Sequence, residues 1–257
     1  MIIDYVVADP VGNITVLVNT KPTAENRQDI IRKAFELEPT CEQVGFISRE
    51  SDHCVRLEMM GYEFCGNATL STACYQAFLN RLELGAEDNF KIISSGIDTP
   101  IDVKVRRLDK EIHADGNVYP AFSASLRVAR PVIDTADKYP VVHLNGISHM
   151  LIPENEISHE EAEAIIKDTA KRYGVPAFGI ILYKKLSDSE VEISPLVYVP
   201  ESNTLVWEHG CASGSTATGY YLHELTGTDS VTINQSGGTI KLDIKDELYL
   251  TATVFLK

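Results

Sequence analysis

The chain has 257 residues, 44% of them hydrophobic and 23% charged, which suits one large domain or two modest ones around a buried core and excludes a disordered polymer. Its 37 acidic side chains outnumber 23 basic ones, for a formal net charge of −14. That charge repels phosphate backbones and anionic lipid, so neither nucleic acid nor membrane is an expected partner.

In chain order, Ile2 to Ala8 and Ile14 to Asn19 read as a hairpin around Asp9-Pro10-Val11-Gly12-Asn13. Thr23 is placed to cap a helix over 24–37, with Ile30, Ile31, Ala34 and Phe35 on one face. Strands follow near 44–48 and 54–59, and then a buried helix over 66–79 built of small and aliphatic residues. Further strands are predicted at 90–93, 101–105 and 111–114. Pro120 and Pro131 mark a crossover segment. The second half predicts strands at 141–144 and 149–152, and a helix from a Ser158 cap to Tyr173. Strands at 179–183, 191–199 and 205–208 come next, and then a helix over 212–225. Strands at 231–233, 239–244 and 248–255 close the chain. The longest apolar run, FGIILY at Phe178 to Tyr183, is too short to span a bilayer.

The order repeats, and so do residues. Glu63-Phe64-Cys65-Gly66-Asn67-Ala68-Thr69 opens one buried helix, and Glu208-His209-Gly210-Cys211-Ala212-Ser213-Gly214 opens the other. Each helix is followed by a strand and a Ser-Gly turn, at Ser95-Gly96 and at Ser236-Gly237-Gly238. The fold expected is α+β, as two pseudosymmetric lobes, each a β-sheet wrapped around a central helix. The first lobe, 1–122, carries Cys65; the second, 123–257, carries Cys211; the active site is expected in the cleft between them.

A cysteine at a helix start meets unpaired N–H groups and the positive end of the dipole, which favour thiolate. Small neighbours (Gly66, Asn67, Ala212, Ser213) let those N–H groups approach a carboxylate closely. Two such starts suit racemisation. One sulfur removes an α-proton, the other returns one to the opposite face, and the N–H groups hold the developing charge. Cys41, Cys54 and Cys74 lack such a pattern and read as structural. A cysteine hydrolase would leave the second, matched cysteine unexplained. A binding protein that only clamps an amino-acid carboxylate is the non-enzyme alternative. No Cys or His spacing matches a metal site, so none is expected. The start MIIDYVVADP lacks a basic n-region and a cleavage site. With an odd number of cysteines, five, a reducing cytoplasm is the expected location.

The two cysteine segments resemble the signature sites of the diaminopimelate epimerase superfamily. Gly12-Asn13, Gly146-Ile147-Ser148-His149, Trp207-Glu208 and Gly237-Gly238 add weaker matches along the chain. The resemblance implies a racemase or epimerase that needs no cofactor and uses one cysteine from each lobe. It further implies that Glu208 and His149 assist, Glu208 towards the substrate ammonium and His149 in tuning a thiol. Asn13, Gln43, Gly66, Asn67, Ala212 and Ser213 then bind substrate, and His209 and Tyr198 line the side-chain pocket. The expected partner is a small-molecule amino acid, and a homodimer is a compatible assembly.

Diaminopimelate carries a second amino-acid head, which its epimerases bind with an Arg directly after the Trp-Glu. Here that residue is His209. Glu58, where an Asn is expected, would repel a distal carboxylate if it faced the pocket. Cys41-Glu42-Gln43-Val44-Gly45-Phe46-Ile47, Met60-Gly61-Tyr62-Glu63-Phe64-Cys65 and Pro195 to Glu201 are similar to the histidine racemase branch instead. That resemblance implies interconversion of L- and D-histidine, with diaminopimelate or another amino acid as the alternative substrate.

Overall fold

The computed structural model of the chain describes residues 2–114, 117–201 and 203–257. Contacts divide it into two compact units, Met1–Arg127 with Thr251–Lys257, and Val128–Leu250. The boundary differs from the expected 122/123, and the last residues return to the first unit.

In the first unit, β1 (Tyr5–Pro10) and β2 (Thr15–Val18) form the predicted hairpin. Its loop turns through Val11 and Gly12, both in the left-handed region, and Gly12 N–H donates to the Asp9 carboxylate at 2.8 Å. α1 (Arg27–Leu37) starts later than predicted. Thr23 and Asn26 bind each other's backbone N–H, which closes a turn ahead of the helix. α1 then crosses to β3 (Gln43–Ser51), parallel to β2, and packs Ile30 and Ala34 on Val16, Val44 and Phe46. β4 (Cys54–Met59) runs antiparallel to β3. α2 (Gly66–Leu79) crosses to β5 (Glu87–Ser94), parallel to β4, and β6 (Ile101–Ala114) returns antiparallel.

β7 (Asn117–Val128) occupies part of the segment expected to be a crossover. Pro120 is accommodated because it pairs with Glu111, just past a register shift where β6 and β7 lose regular alignment.

The second unit begins with β8 (Val132–Asp134), β9 (Val141–Leu144) and β10 (Ile147–Pro153), an antiparallel run. α3 (His159–Tyr173) is capped as predicted. Ser158 and Glu161 form a capping box, and Gly174 ends the helix in the left-handed conformation. It crosses to β11 (Ala177–Ser187), parallel to β10, and β12 (Glu190–Val199) returns antiparallel. β13 (Thr204–Trp207) adds to β12, and α4 (Ala212–Thr226) crosses to β14 (Ser230–Gln235), parallel to β12. β15 (Gly238–Ile244) is antiparallel to β14 and precedes β16 (Leu248–Leu256).

The end of β16 belongs with the first unit because Val254, Phe255 and Leu256 pair with Pro10, Asp9 and Ala8. In strand order β1-β2-β3-β4-β5-β6-β7-β16, that pairing closes an eight-strand barrel. α2 touches β1, β2, β4, β5 and β6, and its residues are buried almost all round. α4 is likewise lined by β9, β10, β11, β12, β14 and β15 of its own unit. Helices enclosed by sheet need small apolar residues on every side, which is why both lack a polar stripe. No helix among the described residues is long and apolar enough to cross a membrane.

Candidate active site

Cys65 is the N-cap of α2, in extended conformation, and its Sγ accepts from Ala68 N–H at 3.4 Å. The Thr69 hydroxyl donates to the Cys65 carbonyl at 2.8 Å. Gly66 and the buried Asn67 form the first helical turn. The peptide leading into this cap is held from outside. The Ser95 hydroxyl accepts from Met59 N–H at 2.9 Å and donates to the Glu63 carbonyl at 2.8 Å. Gly96, at φ +76, lies so close that a Cβ there would sit 2.3 Å from Phe64 N. Burial raises the pKa of Glu63 against the opposing charge of Arg27. Arg27 itself is buried, with its guanidinium 4.6 Å from the Phe46 ring centre and 4.3 Å from that of Tyr62. It pairs with Glu58 and donates to the Met59 carbonyl at 2.7 Å. The negative charge of Glu58 is therefore matched within its own unit.

Asn13 and Gln43 come together. The Gln43 amide donates to the Asn13 side-chain oxygen and, at 2.8 Å, to the Thr15 hydroxyl, while Asn13 donates to Glu42.

Cys211 is the N-cap of α4, in the same extended conformation, and its Sγ accepts from Gly214 N–H at 3.3 Å. A Cβ on Gly214 would sit 2.8 Å from Ile181 and 3.2 Å from that sulfur. The Cys211 N–H donates to Gln235 at 2.6 Å, and Gln235 in turn donates to the Ser215 hydroxyl at 3.0 Å. The Ser213 hydroxyl lies 3.4 Å from the sulfur and 2.9 Å from His149 Nε2. Cys211, Ser213, His149 and Glu208 thus form one cluster, with Glu208 hydrogen-bonded to the thiol. Ala212, buried, supplies the first turn.

The helix start was expected to lower the thiol pKa. At Cys211 the balance goes the other way. Burial pushes it well above its usual value, and the charge and hydrogen bond of Glu208 add to this, opposed by Ser213 and Gly214 N–H. A dipole terminus contributes less than complete desolvation costs. His149 is fully buried, which lowers its pKa to about 3 and keeps the ring neutral.

His209 is exposed and fixed by Ser236, whose hydroxyl lies 3.0 Å from Nδ1, and its carbonyl accepts from Gly237 N–H at 2.9 Å. The two Ser-Gly turns thus do the same job, each holding the carbonyl two residues before a cysteine. Tyr198 departs from its expected place. Strand alternation turns it with Leu196 and Phe178 towards the α3 core, whereas Ile181 faces α4.

Sequence reasoning missed Gln235, Arg27 and Gly179. A Cβ on Gly179 would meet His149 Nδ1 at 2.1 Å, so the glycine makes room for the imidazole on the neighbouring strand. A glycine inside the apolar run Phe178 to Tyr183 was the available signal.

The model of the histidine racemase CntK N-terminal domain matches residues 2–254. The chain belongs to the histidine racemase family. It is 32% identical to a histidine racemase of Fusobacterium nucleatum subsp. nucleatum (strain ATCC 23726), covering 98% of this chain and 94% of that one. It is 27% identical to a histidine racemase of Staphylococcus aureus (strain Mu50), covering 95% and 89%. The solved structure of a predicted epimerase from Pseudomonas aeruginosa shares the fold, with a TM-score of 0.65 at 11% identity over 98% of this chain and 96% of that one. Membership in the histidine racemase family makes the chain an isomerase of the amino-acid racemase class.

Proposed function

We propose that the protein interconverts L- and D-histidine without a cofactor, with Cys65 and Cys211 acting as a base and acid pair on one α-carbon. The two units are read as pseudosymmetric lobes, each contributing one sulfur. The observation that carries this is the duplicated cap: each cysteine starts a buried helix, and each sulfur accepts a backbone N–H from three residues on. The supporting turns and the strand–helix–strand order also recur. In the resting protein Cys211 is the thiol, its S–H directed to Glu208, so Cys65 takes the α-proton first and Cys211 delivers one to the opposite face. In the reverse direction the roles swap: Cys211 as thiolate takes the α-proton of D-histidine, and Cys65 as thiol delivers one to the opposite face. The first-turn N–H groups around Gly66, Asn67, Ala212 and Ser213 hold the carboxylate as charge develops. Asn13 and Gln43 orient the substrate.

Histidine is favoured by the family and by His209, which replaces the Arg that would bind a distal carboxylate. Five free thiols fit a reducing cytoplasm. Chiral chromatography of the protein with a panel of L-amino acids and diaminopimelate should show D-histidine formation. Turnover of diaminopimelate with inertness to histidine rejects the substrate; binding without turnover of any amino acid rejects the enzyme reading.

A further inference from the structure

Three groups in the second unit form a series whose direction the geometry fixes. His149 is fully buried on β10 and neutral. A neutral imidazole carries one N–H, on either nitrogen. Nδ1 is buried against Gly179 and has no hydrogen-bond partner among the described residues. A buried N–H without an acceptor costs more than a lone pair without a donor, so the hydrogen sits on Nε2. Nε2 lies 2.9 Å from Ser213 Oγ and donates to it. The hydroxyl hydrogen is then left to point at the remaining acceptor, the Cys211 sulfur at 3.4 Å.

We propose that Ser213 is a positioning residue, which passes a hydrogen bond from His149 Nε2–H to Cys211 Sγ and so holds that sulfur as an anion when its proton leaves. His149 acts through Ser213 as a fixed donor and not as a proton acceptor. A proton moved onto it would charge a ring that burial keeps neutral. The groups packed around the sulfur within its unit divide by sign. Ser213 and Gly214 N–H favour the thiolate, Glu208 opposes it, and Ile181 and Gln235 bring no charge. The inference deepens the reading of Cys211 as a proton-transferring thiol and rests on it, but its test does not use turnover.

The folded protein is treated with a small neutral alkylating reagent at several pH values, and modification of Cys211 is followed by peptide mass spectrometry. Below its pKa, a thiol reacts in proportion to its thiolate fraction. Ser213→Ala should slow modification of Cys211 by about tenfold at fixed pH, the size expected for losing one hydrogen bond to a charged sulfur. Loss of a side chain beside a buried thiol opens access and acts in the opposite direction, so a merely structural role predicts faster reaction. Ser213→Thr, which keeps the hydroxyl, should restore the wild-type rate. Equal or faster modification in Ser213→Ala, or failure of Ser213→Thr to restore the rate, overturns the proposal. Absence of racemase activity in the wild type alongside the predicted slowing would reject the function and leave the hydrogen-bonded series standing.

Discussion

The two sulfurs proposed to carry the chemistry have different surroundings. Cys65 is half-buried at its helix cap, whereas Cys211 is buried, which raises its pKa, and the Glu208 carboxylate adds to this. In the proposed reaction that difference makes Cys211 the acid in the L-to-D direction. Replacing either cysteine with Ala removes one proton-transfer partner and should lower racemisation by about a thousandfold, within the usual range for general acid–base catalysis. Chiral chromatography measures the loss, and an unchanged far-ultraviolet dichroism spectrum shows that the fold survives. Near wild-type activity in either variant contradicts the two-sulfur mechanism. Motif and repeat pointed to both cysteines because a small-residue stretch after a cysteine, found twice, is legible in one dimension. The pKa direction of Cys211 was not legible. It depends on burial by strands distant in sequence and on Glu208 folding back to the thiol.

At the scale of elements, each cysteine cap is positioned by a turn from the following strand pair. Gly96 touches the peptide of Glu63 and Phe64 with its backbone, and its positive φ favours glycine. Gly96→Ala should destabilise the protein by about 2 kcal/mol, as expected for overpacking plus left-handed strain, and should cut activity by moving Cys65. Denaturant unfolding and initial rates test both effects; a variant as stable and active as the wild type would show that this turn does not hold the cap. The buried helices α2 and α4 were readable almost to the residue, since cysteine caps and unbroken small-residue runs announce them. The α3 capping box was equally plain. β7 was missed because Pro120 reads locally as a break, and only pairing with β6 past an irregular register makes room for it. Strand alternation decided Tyr198, but which face looked to which helix required the assembled sheet.

For the whole molecule, the barrel of the first unit is closed by the far end of the chain. No local pattern in β16 reveals that its last residues pair with β1, so the contiguous halves read from sequence gave way to an interleaved division. Stability of the folded chain should also carry the mark of His149. Its pKa falls from 6.5 in the unfolded chain to about 3 in the fold, so the unfolded state binds the extra proton. The contribution is complete above pH 6.5 and is lost as pH drops towards 3. Over that window, unfolding free energy should fall about 1.4 kcal/mol per pH unit more steeply in the wild type than in His149→Gln, as proton linkage for one group requires. Urea titrations at a series of pH values compare the two slopes; equal slopes would show that His149 is not buried neutral.

The most direct test of a paired thiol mechanism is the fate of solvent deuterium. L-Histidine is incubated with the protein in deuterated water, and both enantiomers are separated at low conversion and weighed by mass spectrometry. The mechanism predicts D-histidine carrying one deuterium at the α-carbon, while recovered L-histidine stays largely unlabelled, because the proton is removed on one face and supplied on the other. Early and equal labelling of both enantiomers would mean that one base serves both faces and would contradict the account.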